Sequence, residues 1–113
     1  MRLKHYNKYG NRKVTIDGIT FDSRHEANVF GELRLLERGG VIRHLQLQVP
    51  FELLEAYTIN GRKVRAVKYV ADFVFENEKG ETEVWDAKGV RTDVYKLKKK
   101  MFEKRYGIEI KEV

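Results

Sequence analysis

Residues 69–75, YVADFVF, are apolar or aromatic at every position but one, and the exception is an aspartate, Asp72. Aromatic and β-branched residues at this density read as a strand. A carboxylate in the middle of such a strand is costly to bury. The usual escapes are a shifted pKa, a salt-bridge partner or a bound metal. The next apolar run, VWDAKG at 84–89, repeats the anomaly with Asp86 and adds Lys88. Any fold for this chain has to build a sheet around these three charged groups.

The rest of the chain supplies the sheet and its cover. KVTIDGITF reads as a short β-hairpin, with Asp17-Gly18 providing the positive φ values of a two-residue turn. SRHEANVFGELRLLERGG reads as a helix. Ser23 is its N-cap, Ala27, Phe30, Leu33 and Leu36 are its apolar stripe, and Gly39-Gly40 is its stop. VIRHLQLQVPFELLEAYTI is strand-like and broken by the only proline, Pro50. Asn60-Gly61 is the strongest hairpin signal, and RKVRAVKYVADFVF returns as a long strand. TEVWDAKG runs back after a turn. TDVYKLKKKMFEKRYG is a second helix, capped by Thr92, with Val94, Leu97 and Met101 on its apolar face. IEIKEV closes the chain as a strand. A strand reached through a helix pairs parallel to its neighbour. The expectation is an α/β fold: a small mixed β-sheet flanked by helices, preceded by a β-hairpin.

A chain of 113 residues fits one compact domain, 1–113, with a basic arm at 1–12. It can form a core without disulfide or metal staples. An apolar fraction of 42% with 35% charged residues marks a highly charged globular protein rather than a disordered one. The absence of cysteine excludes a disulfide framework and a thiolate metal site, and suits a reducing compartment. No apolar run approaches the roughly 20 residues of a membrane span, and MRLKHYNKYGNRK lacks the apolar core of a signal peptide. A cytoplasmic protein without membrane contact is expected. The three histidines lack ligand spacing, and no phosphate-binding glycine motif points to a nucleotide cofactor.

Net charge is +6, and its placement matters more than its size. Residues 1–13 hold Arg2, Lys4, Lys8, Arg12 and Lys13 with no acid. Residues 91–105 hold seven cations against Asp93 and Glu103. Two basic clusters on one small domain suggest a polyanion such as nucleic acid; ordinary solvated faces are the alternative.

Side chains alternate along a strand, so Val70, Asp72 and Val74 are expected on one face. Val84, Asp86 and Lys88 share a face of the next strand. A hairpin centred near Asn77–Gly80 brings Asp72 opposite Trp85 or Asp86. Two carboxylates meeting in an apolar sheet repel unless a cation lies between them. Mg²⁺ or Mn²⁺, which seek oxygen and are held by one or two carboxylates plus substrate phosphate, fit that place. An Asp72–Lys88 or Asp86–Lys88 salt bridge is the competing account. Buried pairs give little net stability, so such a bridge needs another reason to exist.

Ala71-Asp72, a dozen residues, then Asp86-Ala87-Lys88 resembles the PD-(D/E)XK nuclease superfamily, with Ala71 in place of the proline. The order helix, three strands, helix, strand is similar to the core of that superfamily, restriction-endonuclease-like and αβββαβ. The run from FDSRHEANVFGEL through YVADFVF, VWDAKG and TDVYKLKKKMF to YGIEIKEV resembles small phage and prophage nucleases, and some relatives are Holliday junction resolvases. The resemblance implies metal-dependent phosphodiester hydrolysis. Asp72 and Asp86 would bind Mg²⁺ or Mn²⁺ with the Ala87 carbonyl, and Lys88 would position or deprotonate water or offset charge on the phosphate. The pattern also implies an acid on the first helix, matched by Glu26. Ser23-x-x-Glu26 equally spells a capping box.

Lys96, Lys99 and Lys100 are expected to face away from Val94 and Leu97. Tyr95 and Lys98 lie nearer the cleft, and all five are candidate DNA contacts. Arg2 and Lys4 of the arm and Gln48, near Pro50, join them. The implied substrate is branched DNA and the implied assembly a homodimer, because a resolvase cuts two strands. Other structure specificities (nicking, flap or end processing) and a non-catalytic nucleic-acid-binding protein are the alternatives.

Overall fold

The computed structural model describes residues 13–87 and 91–113. It is mixed α/β, with two helices and a four-stranded mixed sheet. Two short strands, β1 (Val14–Ile16) and β2 (Ile19–Phe21), form the leading hairpin. Helix α1 (Arg24–Arg38) follows, then the long strand β3 (Arg43–Leu54). A second hairpin, β4 (Tyr57–Ile59) and β5 (Arg62–Val64), separates β3 from β6 (Val67–Glu76). Strand β7 (Thr82–Asp86), helix α2 (Asp93–Tyr106) and β8 (Ile110–Glu112) complete the chain. The sheet order is β3-β6-β7-β8, antiparallel except for the β7–β8 pair. No helix among the described residues is long and apolar enough to cross a membrane.

Local chemistry accounts for the boundaries. Ser23 Oγ accepts from Glu26 N at 3.1 Å, and Thr92 Oγ1 accepts from Tyr95 N at 3.1 Å, each supplying a first-turn acceptor. Helix α2 ends on Gly107 at φ 71, a left-handed position that a side chain resists. The turn between β6 and β7 is organised by Asn77. Its Oδ1 accepts from Lys79 N and Glu81 N, both at 2.9 Å, and its amide donates to Glu83 at 2.8 Å. This turn sets the register Phe73↔Trp85 and Val74↔Val84.

The sheet has a core on each face. Ala27, Val29, Phe30 and Leu33 of α1 cluster with Phe73, Phe75 and the leading hairpin. Tyr95 and Phe102 of α2 cluster with Tyr69, Ala71, Val74 and Val84. Burying each large apolar side chain contributes roughly 1.5–3 kcal/mol. Leu36, placed in the apolar stripe by its spacing, is exposed, and Val29 is buried instead.

Three expectations are corrected. Pro50 does not break β3, which runs through it paired with Val70. β3 is an edge strand, where a missing N–H is tolerated if it faces outward. The buried face of α2 is Tyr95 and Phe102, whereas Val94 and Leu97 are 63% and 58% exposed. Aromatic volume, with Phe102 against the rings of Phe51, Tyr69 and Tyr106, decides the rotation of the helix. Finally, Val70, Asp72 and Val74 do not share an environment: Val70 is exposed and Val74 is buried under α2.

The reason is a slip in alternation at Asp72. Tyr69 and Ala71 pack with α2, but Phe73 and Phe75 pack with α1. The partner strand slips at the same level. Leu45 and Leu47 pack on the α1 side, Val49 and Phe51 on the α2 side. Between them Gln48 has φ 53, a left-handed conformation rare outside glycine. Because both strands slip together, the pairs Leu47↔Phe73 and Val49↔Ala71 stay in register.

Candidate active site

Asp72 and Asp86 are the two buried polar or charged residues among those described, at 8% and 0% exposure. They lie on neighbouring central strands, and the β6–β7 register, carried one step past Phe73↔Trp85, places them opposite one another. The backbone amide of Ala87 donates to Asp72 Oδ2 at 2.8 Å. Gln48 Nε2 donates to Asp72 Oδ1 at 3.1 Å and to Glu26 Oε2 at 3.2 Å. Glu26, half-buried on the first turn of α1, thus reaches the site through a shared amide. Its backbone serves the Ser23 cap while its carboxylate meets Gln48, so cap and site are compatible.

Asp86 is held differently. Tyr69 Oη donates to Asp86 Oδ2 at 2.7 Å, and the Asp86 carbonyl accepts from Val113 N at 2.9 Å. Burial of the Tyr69 phenol, then its hydrogen bond to Asp86, pushes its pKa far above the usual tyrosine value. Asp86 belongs with Val84 on the α2 side, as alternation implies, while Trp85 and Ala87 pack on the other.

Lys88, Arg2 and Lys4 lie outside the described residues. Ala87 is buried next to Asp86. No group of three or more His, Cys, Asp or Glu side chains that could hold a metal ion is gathered among the described residues. Two buried aspartates on neighbouring strands, with Glu26 joined to Asp72 through Gln48, are what the described residues supply.

The expected DNA face of α2 is only partly a free surface. Lys96 and Lys100 are exposed and Lys98 is half-buried. Two residues are corrected. Tyr95 is buried, its hydroxyl donating to Glu112 at 2.8 Å, so it is a packing residue rather than a DNA contact. Lys99 is half-buried and lies 3.5 Å from Glu112, which also takes Arg91 at 2.8 Å. Those bonds, led by that of Tyr95, hold the Glu112 carboxyl below its usual range. A shallow pocket lies there, lined by Arg91, Lys99, Lys111 and Glu112, but Arg91 and Lys99 are already countered by Glu112 and Lys111 lies over the Trp85 ring. Gln48, expected as a DNA contact, is exposed and donates its amide to two carboxylates.

Sequence reasoning missed Tyr69. A signal was present: a tyrosine opens the apolar run YVADFVF, and a buried phenol needs a hydrogen-bond partner.

The chain belongs to the family described as "Protein of unknown function (DUF1064)", whose model matches residues 6–112. No curated protein and no solved structure matches it.

Proposed function

We propose that this chain is a divalent-metal-dependent endonuclease with a restriction-endonuclease-like core, hydrolysing phosphodiester bonds in branched DNA as Holliday junction resolvases do. One observation carries the reading: Asp72 and Asp86, alone among the described residues, are buried charged groups, and they occupy adjacent strands. Asp72 has neutral donors, the Gln48 amide and the Ala87 N–H, and no ion pair with a described residue. Burying a carboxylate on neutral donors carries a desolvation cost, so its place in an apolar sheet asks for a reason besides stability. The slip in alternation and the left-handed Gln48 sit at the same level, and strain of this kind concentrates at functional sites.

The donor set is hard oxygen, from Asp72, Asp86 and the Ala87 carbonyl, with Glu26 beside it. Mg²⁺ or Mn²⁺ asks for no more than one or two carboxylates when phosphate and water complete the shell, so a pair is sufficient. A cation held there would polarise the scissile phosphate and lower the pKa of a bound water. The protein's own part is positional. Gln48 and the Ala87 amide aim Asp72, Tyr69 aims Asp86, and the apolar sheet keeps bulk water from both. Lys88, next in sequence to Ala87, positions or deprotonates the attacking water or offsets charge on the phosphate. Lys96 and Lys100 on α2 take phosphates, and a homodimer presents two such centres to the two strands cut.

The test is cleavage of a labelled four-way junction in Mg²⁺ or Mn²⁺, beside a linear duplex and a single strand. Symmetric cuts confined to the junction, absent in Asp86→Ala, are expected. Equal cutting of every substrate would remove the junction specificity. Binding without cutting in either metal would replace the enzyme with a nucleic-acid-binding protein.

A further inference from the structure

The hairpin of β4 and β5 takes no part in that centre and packs against neither core cluster, apart from its stem. Isolated two-stranded ribbons are marginal in water, yet this one is formed, closed by Asn60 and Gly61 at positive φ. Every residue of β4 is exposed, as are Arg62 and Lys63 of β5. Its ladder pairs Tyr57 with Val64 and Ile59 with Arg62 on one face, and Thr58 with Lys63 on the other. Arg65 follows directly. Between Glu55 and Ala66 there are three cations and one acid. Arg62, Lys63 and Arg65 make no ion pair with any described residue, unlike Arg91 and Lys99, which Glu112 engages. An exposed ribbon with uncompensated cations complements a polyanion.

We propose that the β4–β5 ribbon is a DNA-binding arm that lies in a groove of duplex DNA, with Arg62, Lys63 and Arg65 set against the phosphates. This rests on the nuclease reading and adds to it a second contact remote from the carboxylates. The dimensions agree. A major groove about 12 Å wide admits a two-stranded ribbon. Arg62 precedes Asp72 by ten residues along β5 and β6. At about 3.3 Å per residue the separation from the site is at most about 33 Å, which keeps the arm within one turn of B-DNA, about 34 Å. The arm therefore grips duplex flanking the cleavage point and adds affinity without reading sequence.

The experiment measures binding of the full-length chain to a long duplex, and to one shorter than a helical turn, by fluorescence anisotropy in EDTA across a salt series. Wild type is compared with the triple variant Arg62→Ala/Lys63→Ala/Arg65→Ala and with Asp86→Asn. The triple variant is expected to bind the long duplex about 10–100-fold more weakly near physiological salt, with a log K against log salt slope shallower by roughly 2–3. It should bind the short duplex like wild type and keep its melting temperature, and Asp86→Asn should keep the full slope. Unchanged affinity and slope in the triple variant would overturn the arm while leaving the nuclease reading standing. Wild type that binds neither duplex would overturn the arm; the nuclease reading is overturned separately, by the absence of junction cleavage. If the triple variant binds normally and Tyr57→Ser/Ile59→Ser turns a sedimenting dimer into a monomer, the ribbon is an interface between copies and the arm is wrong.

Discussion

The two ends of the candidate site treat their carboxylates in opposite ways. Asp86 is sealed on the α2 side, fully buried, with a phenol as donor and its own carbonyl tied to the C-terminal residue. Asp72 is gripped by one backbone amide and by Gln48, an exposed side chain that also holds Glu26. One end is built like a core and the other like a surface. If the proposed centre holds a cation and admits a phosphate, the contrast suits it: one fixed ligand, and one ligand whose neighbours can adjust.

The rigid end depends on few residues. Only Tyr95 and Phe102 of α2 are buried, and Phe102 packs at a tilt against Tyr69 with ring centroids 5.4 Å apart. Phe102→Ala should cost about 3–5 kcal/mol in denaturant unfolding, as loss of a buried aromatic does. Phe30→Ala on the α1 side should cost a similar amount. The comparison sharpens in any folded remainder: Phe102→Ala loosens the ring that holds Asp86, and Phe30→Ala does not. Equal loss of the Tyr69 hydroxyl signal in NMR for both variants would break it.

Tyr69→Phe removes the donor without the ring. A smaller loss, about 1–3 kcal/mol, follows from taking a hydrogen bond from a buried carboxylate. The pH dependence gives a second readout. Tyr69 and Tyr95 both have pKa values raised above the ordinary 10.0, first by burial, then by bonds to Asp86 and Glu112. Their stabilisation is complete below pH 10. Above it the unfolded chain loses the protons that the folded chain keeps, so stability falls as pH rises. Tyr69→Phe should make that alkaline decline shallower by one proton, measured as unfolding free energy against pH; an unchanged slope would contradict the assignment.

The register that faces the two aspartates rests on Asn77. Asn77→Ala should cost about 1–2 kcal/mol through lost turn hydrogen bonds. Asn77 is also the main cause that lowers the Glu83 pKa, with Trp85 Nε1 assisting at 2.9 Å. A depressed carboxyl stabilises above its unfolded value and loses that contribution as pH falls through the folded one. The variant should therefore show a higher Glu83 pKa by carbon-detected NMR and a weaker loss of stability on acidification. A Glu83 pKa that stays put would assign the depression to Trp85 and Lys111 instead.

How far these features were legible in the chain differs along it. Both helices, their Ser23 and Thr92 caps and both X-Gly hairpin turns were readable, because capping and positive φ are local chemistry. Turn length put Asp72 opposite Trp85 or Asp86, and the register Phe73↔Trp85, carried one step on, favours Asp86. The face of α2 did not, because Val94 and Leu97 have the right spacing but Phe102 and Tyr95 have more surface to bury. Nor did the slip at Asp72, since strict alternation gives no sign that two strands can change sides together. Glu112 competes for Tyr95, Arg91 and Lys99 from a strand reached only through the parallel crossover, a long-range meeting that no local pattern announces.

The smallest stability change and the most direct probe of the adjustable end is Gln48→Ala. Gln48 is exposed, so water can replace part of its bond to Asp72, and its truncation should cost about 0.5–1 kcal/mol, the low end for a lost hydrogen bond. Yet it removes the one amide shared by Glu26 and Asp72. Without it, two carboxylates face each other with less between them, and a divalent cation has more to gain by entering. Millimolar Mg²⁺ or Mn²⁺ should then raise the melting temperature of Gln48→Ala by more than it raises that of wild type, as a ligand specific to the folded state does. Cleavage of the junction should fall at the same time, because Asp72 is no longer aimed. Gln48→Glu should magnify the metal effect by placing a third acid there. If neither variant responds to metal more than wild type, Gln48 is a local strut, and the distinction between a fixed and an adjustable carboxylate fails at the residue that defines it.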